Sequence, residues 1–478
     1  MQGWGGATAG NGSGGAPPEG NLKLSAEGNQ NLCPSPGWQP ILAQGQGLSA
    51  KRAHPAGLGL PKPPVVSKCS PFPVTTPATL NHHLARIEAD LRQNILPFWI
   101  NRVVDQPGGT FHGSLTNDLA VDPTAERGAL LTSRILWTYA AAFRQYRDPA
   151  YLAMADHSYA DLLTRFQDKE HGGFFWSIAA DGTVLRDRKQ IYGQAFAIYA
   201  LSEYAAASGR REPLDLAIAT FRLIEAHARE LRYGGYLEAF GRAWEPIADM
   251  RLSAIDQNDP KSQNTLLHIM EAYTNLLRLW PDAGLRQALT GLVEIMLDRV
   301  VNATTGHLGL FFANDWTLNS DKLSYGHDIE AAWLLTEAAG TLGNKGLSDR
   351  IHALAVKIAD VTLAEGTDTD GGIFNQGGPN GITDSAKEWW PQAEAVIGFL
   401  NAYQLARDER HLTAALHTWT FIETHLIDRK NGEWFRGVTR DGRLLANELK
   451  VSFWKCPYHN GRMGLEAVRR LRAILSQS

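Results

Sequence analysis

Apolar residues recur along most of this chain at the spacing of amphipathic helices. The segments RGALLTSRILWTYAAAFRQY and AYLAMADHSYADLLTRF place apolar side chains at positions i, i+3, i+4 and i+7, which indicates helices with one buried face. Strand-like alternation is confined to short stretches around glycines, and Asp-Gly turn signals follow two of them, at 181 and 441. The pattern predicts an all-α protein with short β-hairpin loops between its helices.

A glycine-and-aromatic motif divides the helical part of the chain into six similar units. The motif begins at 108 (GGTFHG), 172 (GGFFW), 234 (GGYLE), 306 (GHLGLFF), 371 (GGIFN) and 432 (GEWFR), and two helical patterns lie between successive copies. A helix pair cannot bury its apolar face alone, so neighbouring pairs must stack. Because neither terminal unit shows a polar capping helix, we expect the six pairs to close into a toroid rather than to form an open solenoid.

Polar residues at the start of the more apolar helices predict where a pocket should lie. YGQAFAIYALSEYA, NTLLHIMEAYTNLL, GHDIEAAWLLTEAA and PQAEAVIGFLNAYQL all begin with polar residues and end with apolar ones. In a closed toroid such helices form the inner ring, and their polar starts converge at one mouth, where the hairpin loops also lie.

Composition limits the class of protein and its setting. Residues 1–75 are rich in Gly, Pro and Ser, which predicts a disordered low-complexity extension; residues 76–478 form the helical domain. A net charge of −4 gives no footprint for nucleic acid, and no apolar run reaches membrane-span length. With Cys33, Cys69 and Cys456 as the only cysteines and no signal-peptide pattern, we expect a cytoplasmic protein that is a monomer or weak dimer.

Four clusters of polar and aromatic residues lie at the starts of helices within apolar surroundings. They occur in NTLLHIMEAY, YGHDIEAAW, KEWWPQAEA and WKCPYHNGR, and Arg134 and Tyr192 are further polar residues at helical positions. Their members are Asn264, His268 and Glu271; His327, Asp328 and Glu330; Trp389, Trp390, Gln392 and Glu394; and Trp454, Lys455, Tyr458, His459 and Arg462.

Two of these clusters contain a His-x-x-Glu pair, His268 with Glu271 and His327 with Glu330. Residues three apart share a helix face, so each pair could bind a metal or orient an imidazole. Di-iron bundles use the reversed order, Glu-x-x-His, and need further glutamates from two other helices. The pattern therefore favours carboxylate-oriented neutral imidazoles that act as general acids and bases without a metal.

Structural roles remain open for several of these residues. A single histidine on an apolar helix is more often a core residue than a catalyst, and Trp389 and Trp390 could simply fill the core. Arg134 could be a structural ion-pair partner, and Glu271 is the candidate with the strongest claim to a purely structural role.

The clusters resemble the N-acylglucosamine 2-epimerase superfamily, and more closely its cellobiose 2-epimerase branch. The similar segments are RILWTYAAAF, KQIYGQAFAIYALSEYA, KSQNTLLHIMEAYTNLLRLWPD, LSYGHDIEAAWLLTEAA, KEWWPQAEAVIGFLNAYQL and FWKCPYHNGR, and the resemblance covers about residues 80 to 475. It implies an (α/α)6 barrel that forms a catalytic domain. It also implies cofactor-free epimerisation at carbon 2 of a reducing-end glucose, from cellobiose to glucosyl-mannose and from lactose to epilactose.

The resemblance also implies roles for individual residues. His327 and His459 would form the acid/base pair, and His268 would assist at the ring oxygen or the carbon-1 hydroxyl. The remaining expected roles concern sugar binding: Arg134, Tyr192, Asn264 and Glu330 would hold the reacting sugar, and Trp389, Trp390, Trp454 and Glu394 would hold the two rings, with Trp389 and Glu394 nearest the second.

Two departures from the family pattern concern the pocket. Leu266 stands where the family usually has a histidine, in NTLLH, and Gln376 stands where it tends to have a glutamate. We expect the first change to spare His268 and the second to alter selectivity at the pocket rim. The alternatives are an aldose–ketose isomerase or monosaccharide 2-epimerase on the same barrel, an inverting glycoside hydrolase and a non-enzymatic helical-repeat binding protein.

Overall fold

The computed structural model describes residues 76–106 and 108–477, so the predicted disordered extension lies outside the described residues. Helices dominate this part of the chain. They are α1 (Pro77–Ala89), α2 (Ala129–Tyr146), α3 (Pro149–Asp161), α4 (Ile191–Ser208), α5 (Glu212–His227), α6 (Gln263–Leu279), α7 (Ala283–Ile295), α8 (Tyr325–Leu342), α9 (Lys345–Val361), α10 (Trp389–Ala406), α11 (Glu409–His425) and α12 (Tyr458–Leu475). Wider π-helical turns extend α3, α7 and α9 at their C-terminal ends, and α1 is followed by two π-helical stretches (Asp90–Ile95 and Trp99–Val103) with a three-residue helical segment, Leu96–Phe98, between them.

The helices form two concentric rings that close on themselves. The inner ring consists of α2, α4, α6, α8, α10 and α12; each packs against the next, and α12 packs against α2. The odd-numbered helices lie outside, and α1 packs against α12, so the first helix completes the last pair. Apolar residues of both rings form one continuous core. This arrangement confirms the predicted all-α (α/α)6 barrel. No helix in the described ranges is long and apolar enough to cross a membrane.

Short antiparallel strands join neighbouring units at one end of the barrel. The strands are β1 (Val104–Asp105), β2 (Thr110–Phe111), β3 (Arg127–Gly128), β4 (Ser177–Ile178), β5 (Val184–Arg186), β6 (Lys189–Gln190), β7 (Ala239–Phe240), β8 (Lys261–Ser262), β9 (Phe311–Phe312), β10 (Gln376–Gly378), β11 (Gly381–Asp384), β12 (Lys387–Glu388) and β13 (Gly437–Val438). β3, β6, β8 and β12 each precede an inner helix and pair with β4, β7, β9 and β13 of the next unit. The starts of the inner helices are therefore held together around one mouth.

Buried lysines fix three of these helix starts. Lys189, Lys261 and Lys387 each lie two residues before an inner helix, and their side chains are fully buried. Their ammonium groups pair with carboxylates of the preceding glycine turn: Asp168 (2.7 Å), Glu230 (3.2 Å) and Asp370 (2.7 Å). Only the Lys189–Asp168 pair is buried on both sides, and removing one partner of such a pair costs about 3–5 kcal/mol; the partly exposed Glu230 and Asp370 hold their lysines more weakly.

The glycine motif is explained by backbone conformation and close packing. Gly173 and Gly235, the second glycines of their motifs, have φ of +69° and +84°. A Cβ at Gly235 would lie 2.7 Å from the Trp316 ring. A side chain at these positions would be both strained and obstructed.

Candidate active site

A cavity of about 400 Å³ opens at the mouth where the inner helices begin. Its wall brings together ten of the residues that the sequence nominates, from all six inner helices and the loop before α12: Arg134, Tyr192, Asn264, His268, His327, Glu330, Trp389, Trp390, Trp454 and His459. Glu394, the remaining residue with an expected catalytic or sugar-binding role, does not line the cavity. It is fully buried and bonded to His459, so the structure places it behind the wall rather than against a second sugar ring.

The three histidines present imidazoles to the cavity, but different groups hold them. Nδ1 of His268 lies 2.9 Å from Oε2 of Glu271, and Nδ1 of His459 lies 2.7 Å from Oε1 of Glu394. Nδ1 of His327 lies 2.8 Å from the hydroxyl oxygen of Ser324. With each Nδ1 engaged, Nε2 is the nitrogen left for a ligand in the cavity.

The predicted pairing of His327 with Glu330 is wrong, although the pairing of His268 with Glu271 is observed. Oε1 of Glu330 accepts a hydrogen bond from Nη2 of Arg462 at 2.6 Å. Glu330 therefore pairs with Arg462, and His327 pairs with Ser324, even though Glu330 and His327 lie one turn apart on α8. Asp328 is also structural, since it accepts from the backbone N–H of Leu308 and pairs with His307.

Burial favours the neutral form of all three imidazoles. Burial and the neighbouring His268 and His459 lower the pKa of His327 to about 3. Burial lowers the pKa of His459 to about 3, although the Glu394 carboxylate works in the opposite direction. The pKa of His268 is lowered by burial too, against the opposing effect of Glu271. The expectation of neutral imidazoles therefore agrees with the structure.

Arg134 is a buried cation whose side-chain contacts are neutral. Its Nη2 donates to the hydroxyl of Tyr192 at 2.6 Å, and its Nη1 donates to the Trp454 carbonyl at 3.3 Å. Aromatic rings cover the guanidinium, with Phe196 at 4.3 Å and Tyr458 at 5.0 Å. Within the described residues no carboxylate lies within ion-pair distance, so the structural ion pair considered for Arg134 is not found. A buried cation without a counter-ion is suited to an anionic ligand or intermediate.

Several polar atoms in the wall lack hydrogen-bond partners. Nε of Arg134, Oδ1 of Asn264, Oε2 of Glu330 and Nε1 of Trp389 are all buried without one. Buried polar atoms are nearly always paired. Two acceptors and two donors in one wall therefore indicate a ligand that can both donate and accept, as hydroxyl groups do.

Aromatic rings form the sides of the cavity. Trp390 packs against His327 at 4.6 Å and against His459 at 5.7 Å between ring centroids, so both imidazoles contact one indole. Trp454 lies 6.1 Å from the Tyr192 ring. Trp389 is 3% exposed, and Arg436 covers its ring at 5.2 Å. Trp390 and Trp454 thus offer more open surface for an apolar sugar face than Trp389 does.

A layer of ionic residues underlies the cavity. Atoms of Glu330, Glu394 and His459 lie within 4.8 Å of one another, a spacing that could suit a metal ion. Nη2 of Arg462, however, donates to Oε1 of Glu330 at 2.6 Å and to Oε1 of Glu394 at 2.7 Å. The guanidinium supplies the positive charge that these carboxylates need, so the residues fit a protein cation better than a metal.

Some wall residues were not nominated from the sequence. They are Glu388, Arg436 and the loop 252–256, together with Ser324, which orients His327. Ser324 and Arg436 occur in SYGHDIEAAW and GEWFR, but nothing in those motifs indicates which way their side chains point. The loop has no periodic pattern or motif that could have identified it.

The two departures from the family pattern lie away from the cavity wall. The fourth residues of α4 and α10, Gln194 and Gln392, bond both backbone groups of an aromatic or apolar residue in the glycine motif. Leu266 is the fourth residue of α6 and is fully buried. It occupies the position that corresponds to Gln194 and Gln392, but its apolar side chain cannot form their hydrogen bonds to the backbone. Gln376 is partly exposed in the β10–β11 hairpin.

A larger cavity of about 590 Å³ lies toward the other end of the inner helices. Its wall contains paired guanidinium and carboxylate groups, such as Arg144 with Glu203 at 2.5 Å and Arg278 with Glu337 at 2.7 Å. No histidine lines it. The smaller cavity is therefore the candidate active site, because it holds the groups that can transfer protons.

Several known proteins are similar to this chain in sequence and in fold. A family model of N-acylglucosamine 2-epimerases matches residues 109–460. Cellobiose 2-epimerase of Bacteroides fragilis is 44% identical over 381 residues, which are 80% of this chain and 97% of that protein. Cellobiose 2-epimerase of Spirochaeta thermophila has a solved structure with a TM-score of 0.78 and 42% identity, covering 84% of this chain and 100% of the other. The chain belongs to the N-acylglucosamine 2-epimerase family, and it is an isomerase of the epimerase class.

Proposed function

We propose that this enzyme epimerises carbon 2 of the reducing-end glucose in β-1,4-linked disaccharides, converting cellobiose to glucosyl-mannose and lactose to epilactose. The observation that carries the proposal is Arg134, a buried guanidinium with no carboxylate partner in the part of the chain that the structure describes, in the same wall as three imidazoles. Proton abstraction next to an aldehyde creates an enediolate, and this arrangement pairs a proton acceptor with a positive charge for that anion.

The chemistry begins with an opened sugar ring, since only the open aldehyde makes the carbon-2 hydrogen acidic. His268, which lines the cavity, would move the proton between the carbon-1 hydroxyl and the ring oxygen. Tyr192, Asn264 and Glu330 would bind hydroxyl groups of the reacting sugar, which would satisfy the wall atoms that lack partners.

The proton transfer then uses the two histidines that contact Trp390. Nε2 of one imidazole takes the carbon-2 proton, and the C–H electron pair forms the carbon 1–carbon 2 double bond while the negative charge develops on oxygen 1 near Arg134. The other imidazole returns a proton to the opposite face of carbon 2. Glu394 contacts Nδ1 of His459 and raises the affinity of this imidazole for a proton, so we assign His459 as the base and His327 as the acid in one direction; the roles reverse in the other.

The disaccharide substrate is supported by the cavity and by the relatives. Ligand pockets are commonly about 300–1,000 Å³, and the cavity volume lies in that range. Trp390 and Trp454 offer two aromatic surfaces, enough for two rings. The 44%-identical relative is named a cellobiose 2-epimerase.

An aldose–ketose isomerase is the second candidate, because the same enediolate can be protonated at carbon 1. Product analysis distinguishes the candidates: cellobiose is incubated with the enzyme, and the products are separated and identified by NMR. We expect glucosyl-mannose. A keto-disaccharide would establish isomerisation, free glucose would establish hydrolysis, and unchanged cellobiose would contradict the proposal. His327→Ala and His459→Ala should each abolish turnover, and His417→Ala, an exposed histidine on α11, is the matched control.

We further propose a cytoplasmic enzyme that acts as a monomer or weak dimer and binds small sugars rather than nucleic acid. The net charge of −4 and the low number of cysteines support this setting.

A further inference from the structure

Arg462 connects the carboxylates that hold two of the three histidines. It lies in the first turns of α12, is 1% exposed, and donates to three glutamates from three other inner helices. Nη1 donates to Oε1 of Glu271, and Nη2 donates to Oε1 of Glu330 and Oε1 of Glu394. Glu271 in turn holds His268, and Glu394 holds His459.

We infer that Arg462 is a positioning residue for the proposed epimerisation: it fixes the Glu271–His268 and Glu394–His459 couples as one unit, so that both imidazoles present an unprotonated Nε2 to the sugar. Arg462 itself does not touch the reacting atoms; it acts only through these two couples. The inference rests on the proposed function for its catalytic consequence, but the geometry that it describes exists without substrate.

Charge explains why the carboxylates need this arginine. Three buried carboxylates that share a site repel one another, and burial alone favours their protonated forms. Burial acts to raise the pKa of Glu394, yet Arg462 and His459 bring it down to about 2. The pKa of Glu271 is lowered in the same way, against burial, by Arg462 and His268. The pKa of Glu330 is raised by burial and by the charge of Glu394, so Glu330 is the carboxyl of this pair that takes up a proton more readily.

Ionised carboxylates select the imidazole tautomer. A carboxylate can only accept, so it requires Nδ1 of its histidine to carry the hydrogen, and Nε2 is then the basic nitrogen. A protonated Glu394 could instead donate to Nδ1 and leave the hydrogen on Nε2, where it would face the sugar in the wrong state for a base. Arg462 therefore acts on the histidines through the charge of their partners.

The shape of the guanidinium matters as well as its charge. Its planar fork reaches three carboxylates at once, whereas a lysine ammonium is a point charge on a flexible stem. Tyr458 reinforces the layer, since its hydroxyl donates to Oε1 of Glu271 at 2.5 Å and its ring packs 4.1 Å from the Arg462 guanidinium. Lysine should retain the charge but loosen the geometry.

The test compares Arg462→Met and Arg462→Lys with Arg470→Met. Arg470 lies two turns further along α12, is 4% exposed, and pairs with Glu337 and Glu466 at 3.2 Å each. It is therefore a matched buried arginine that contacts neither histidine couple. The enzyme is labelled with ¹⁵N-histidine, the signals are assigned with His268→Gln and His459→Gln, and tautomers are measured by NMR without substrate.

We expect the wild type and Arg470→Met to hold His268 and His459 in the Nδ1–H tautomer, and Arg462→Met to lose that preference. In turnover, Arg462→Met should lower kcat about a hundredfold, Arg462→Lys about tenfold, and Arg470→Met less than twofold, with KM nearly constant. The acid limb of the kcat profile should move to lower pH in Arg462→Met, because a protonated Glu394 no longer raises the pKa of His459, and should stay in place in Arg462→Lys.

Unchanged tautomers in Arg462→Met would overturn the inference even if kcat fell. If Arg462→Met fails to fold, Arg462→Lys is the deciding variant. Wild-type tautomers together with a wild-type kcat in Arg462→Lys would overturn the inference. Because the tautomers are read without substrate, they test the positioning role even if cellobiose proves not to be epimerised; that outcome would reject the proposed function alone.

Discussion

Two buried arginines at the centre of this barrel have opposite electrostatic surroundings. Arg134 is 2% exposed and contacts a tyrosine hydroxyl, a carbonyl and aromatic rings. Arg462 is 1% exposed and contacts three carboxylates. The Tyr458 ring lies against both guanidiniums, at 5.0 Å and 4.1 Å. The same side chain is thus used for two purposes within one core.

The difference assigns the two arginines to different roles: Arg462 stabilises the structure of the site, and Arg134 stabilises the anion formed in the reaction. The charge of Arg462 is balanced by the protein's own carboxylates, so Arg462 holds those side chains in place. The charge of Arg134 is left unbalanced at a desolvation cost, which a ligand anion can offset. Replacing Arg462 should therefore lower the stability of the protein much more than replacing Arg134, whereas replacing either arginine should lower turnover.

Replacing Arg462 should have the largest effect on stability. Arg462→Met leaves Glu271, Glu330 and Glu394 buried without a cation, and breaking a buried pair in this way costs about 3–5 kcal/mol. Denaturant unfolding followed by tryptophan fluorescence measures the change. A variant as stable as the wild type would show that the carboxylates do not need this cation.

Replacing Arg134 should affect turnover rather than stability. Arg134→Met removes an unbalanced buried cation, so the free energy of unfolding should stay within about 1 kcal/mol of wild type or rise. The enediolate loses its positive neighbour, and kcat should fall about 10²- to 10³-fold. Arg134→Lys is the matched control and should recover part of the rate. Equal losses of stability in Arg134→Met and Arg462→Met would contradict the comparison.

Removing one carboxylate from Arg462 should give a smaller, pH-dependent effect. Glu394→Gln keeps the shape of the side chain but removes the charge that raises the pKa of His459. The His459 imidazolium should then form only at lower pH, so the acid limb of the kcat profile moves to lower pH, as in Arg462→Met. We expect kcat to fall about tenfold to hundredfold. Ser324→Ala removes the neutral partner of His327 and should leave the acid limb in place.

Removing the hydroxyl partner of Arg134 should have the smallest effect. Tyr192→Phe keeps the ring and deletes one neutral hydrogen bond, which is typically worth about 0.5–1.5 kcal/mol. The expected loss in kcat/KM is therefore tenfold or less. A loss as large as that of Arg134→Met would mean that Tyr192, and not the guanidinium, stabilises the intermediate.

Much of the fold could be predicted from the sequence because local patterns encode it. The period of the apolar residues located the helices, and the six glycine motifs gave the number of units. Closure of the ring brings the polar starts of the inner helices together, and ten of the nominated residues line the cavity at that point. The extent of the extension before residue 76 stays a prediction.

Side-chain partners could not be predicted, since they depend on contacts between distant helices. Sequence spacing pairs His327 with Glu330, but the helix directs Glu330 toward Arg462, 132 positions away. Glu394 could be nominated from its motif, yet its contact with His459 depends on how α10 packs against α12. Likewise, Leu266 could be recognised as a departure, but only the structure shows that it lies at a backbone-contact position outside the cavity.

The central claim is that two imidazoles act from opposite sides of one opened sugar. It is tested most directly by following deuterium at carbon 2 when cellobiose is converted in heavy water, before the reaction has turned over repeatedly. Two separate proton carriers predict glucosyl-mannose with one deuterium at carbon 2, and recovered cellobiose with almost none. Equal deuterium in substrate and product would indicate a single base, and a product without deuterium would indicate direct hydrogen transfer; either result would contradict the account.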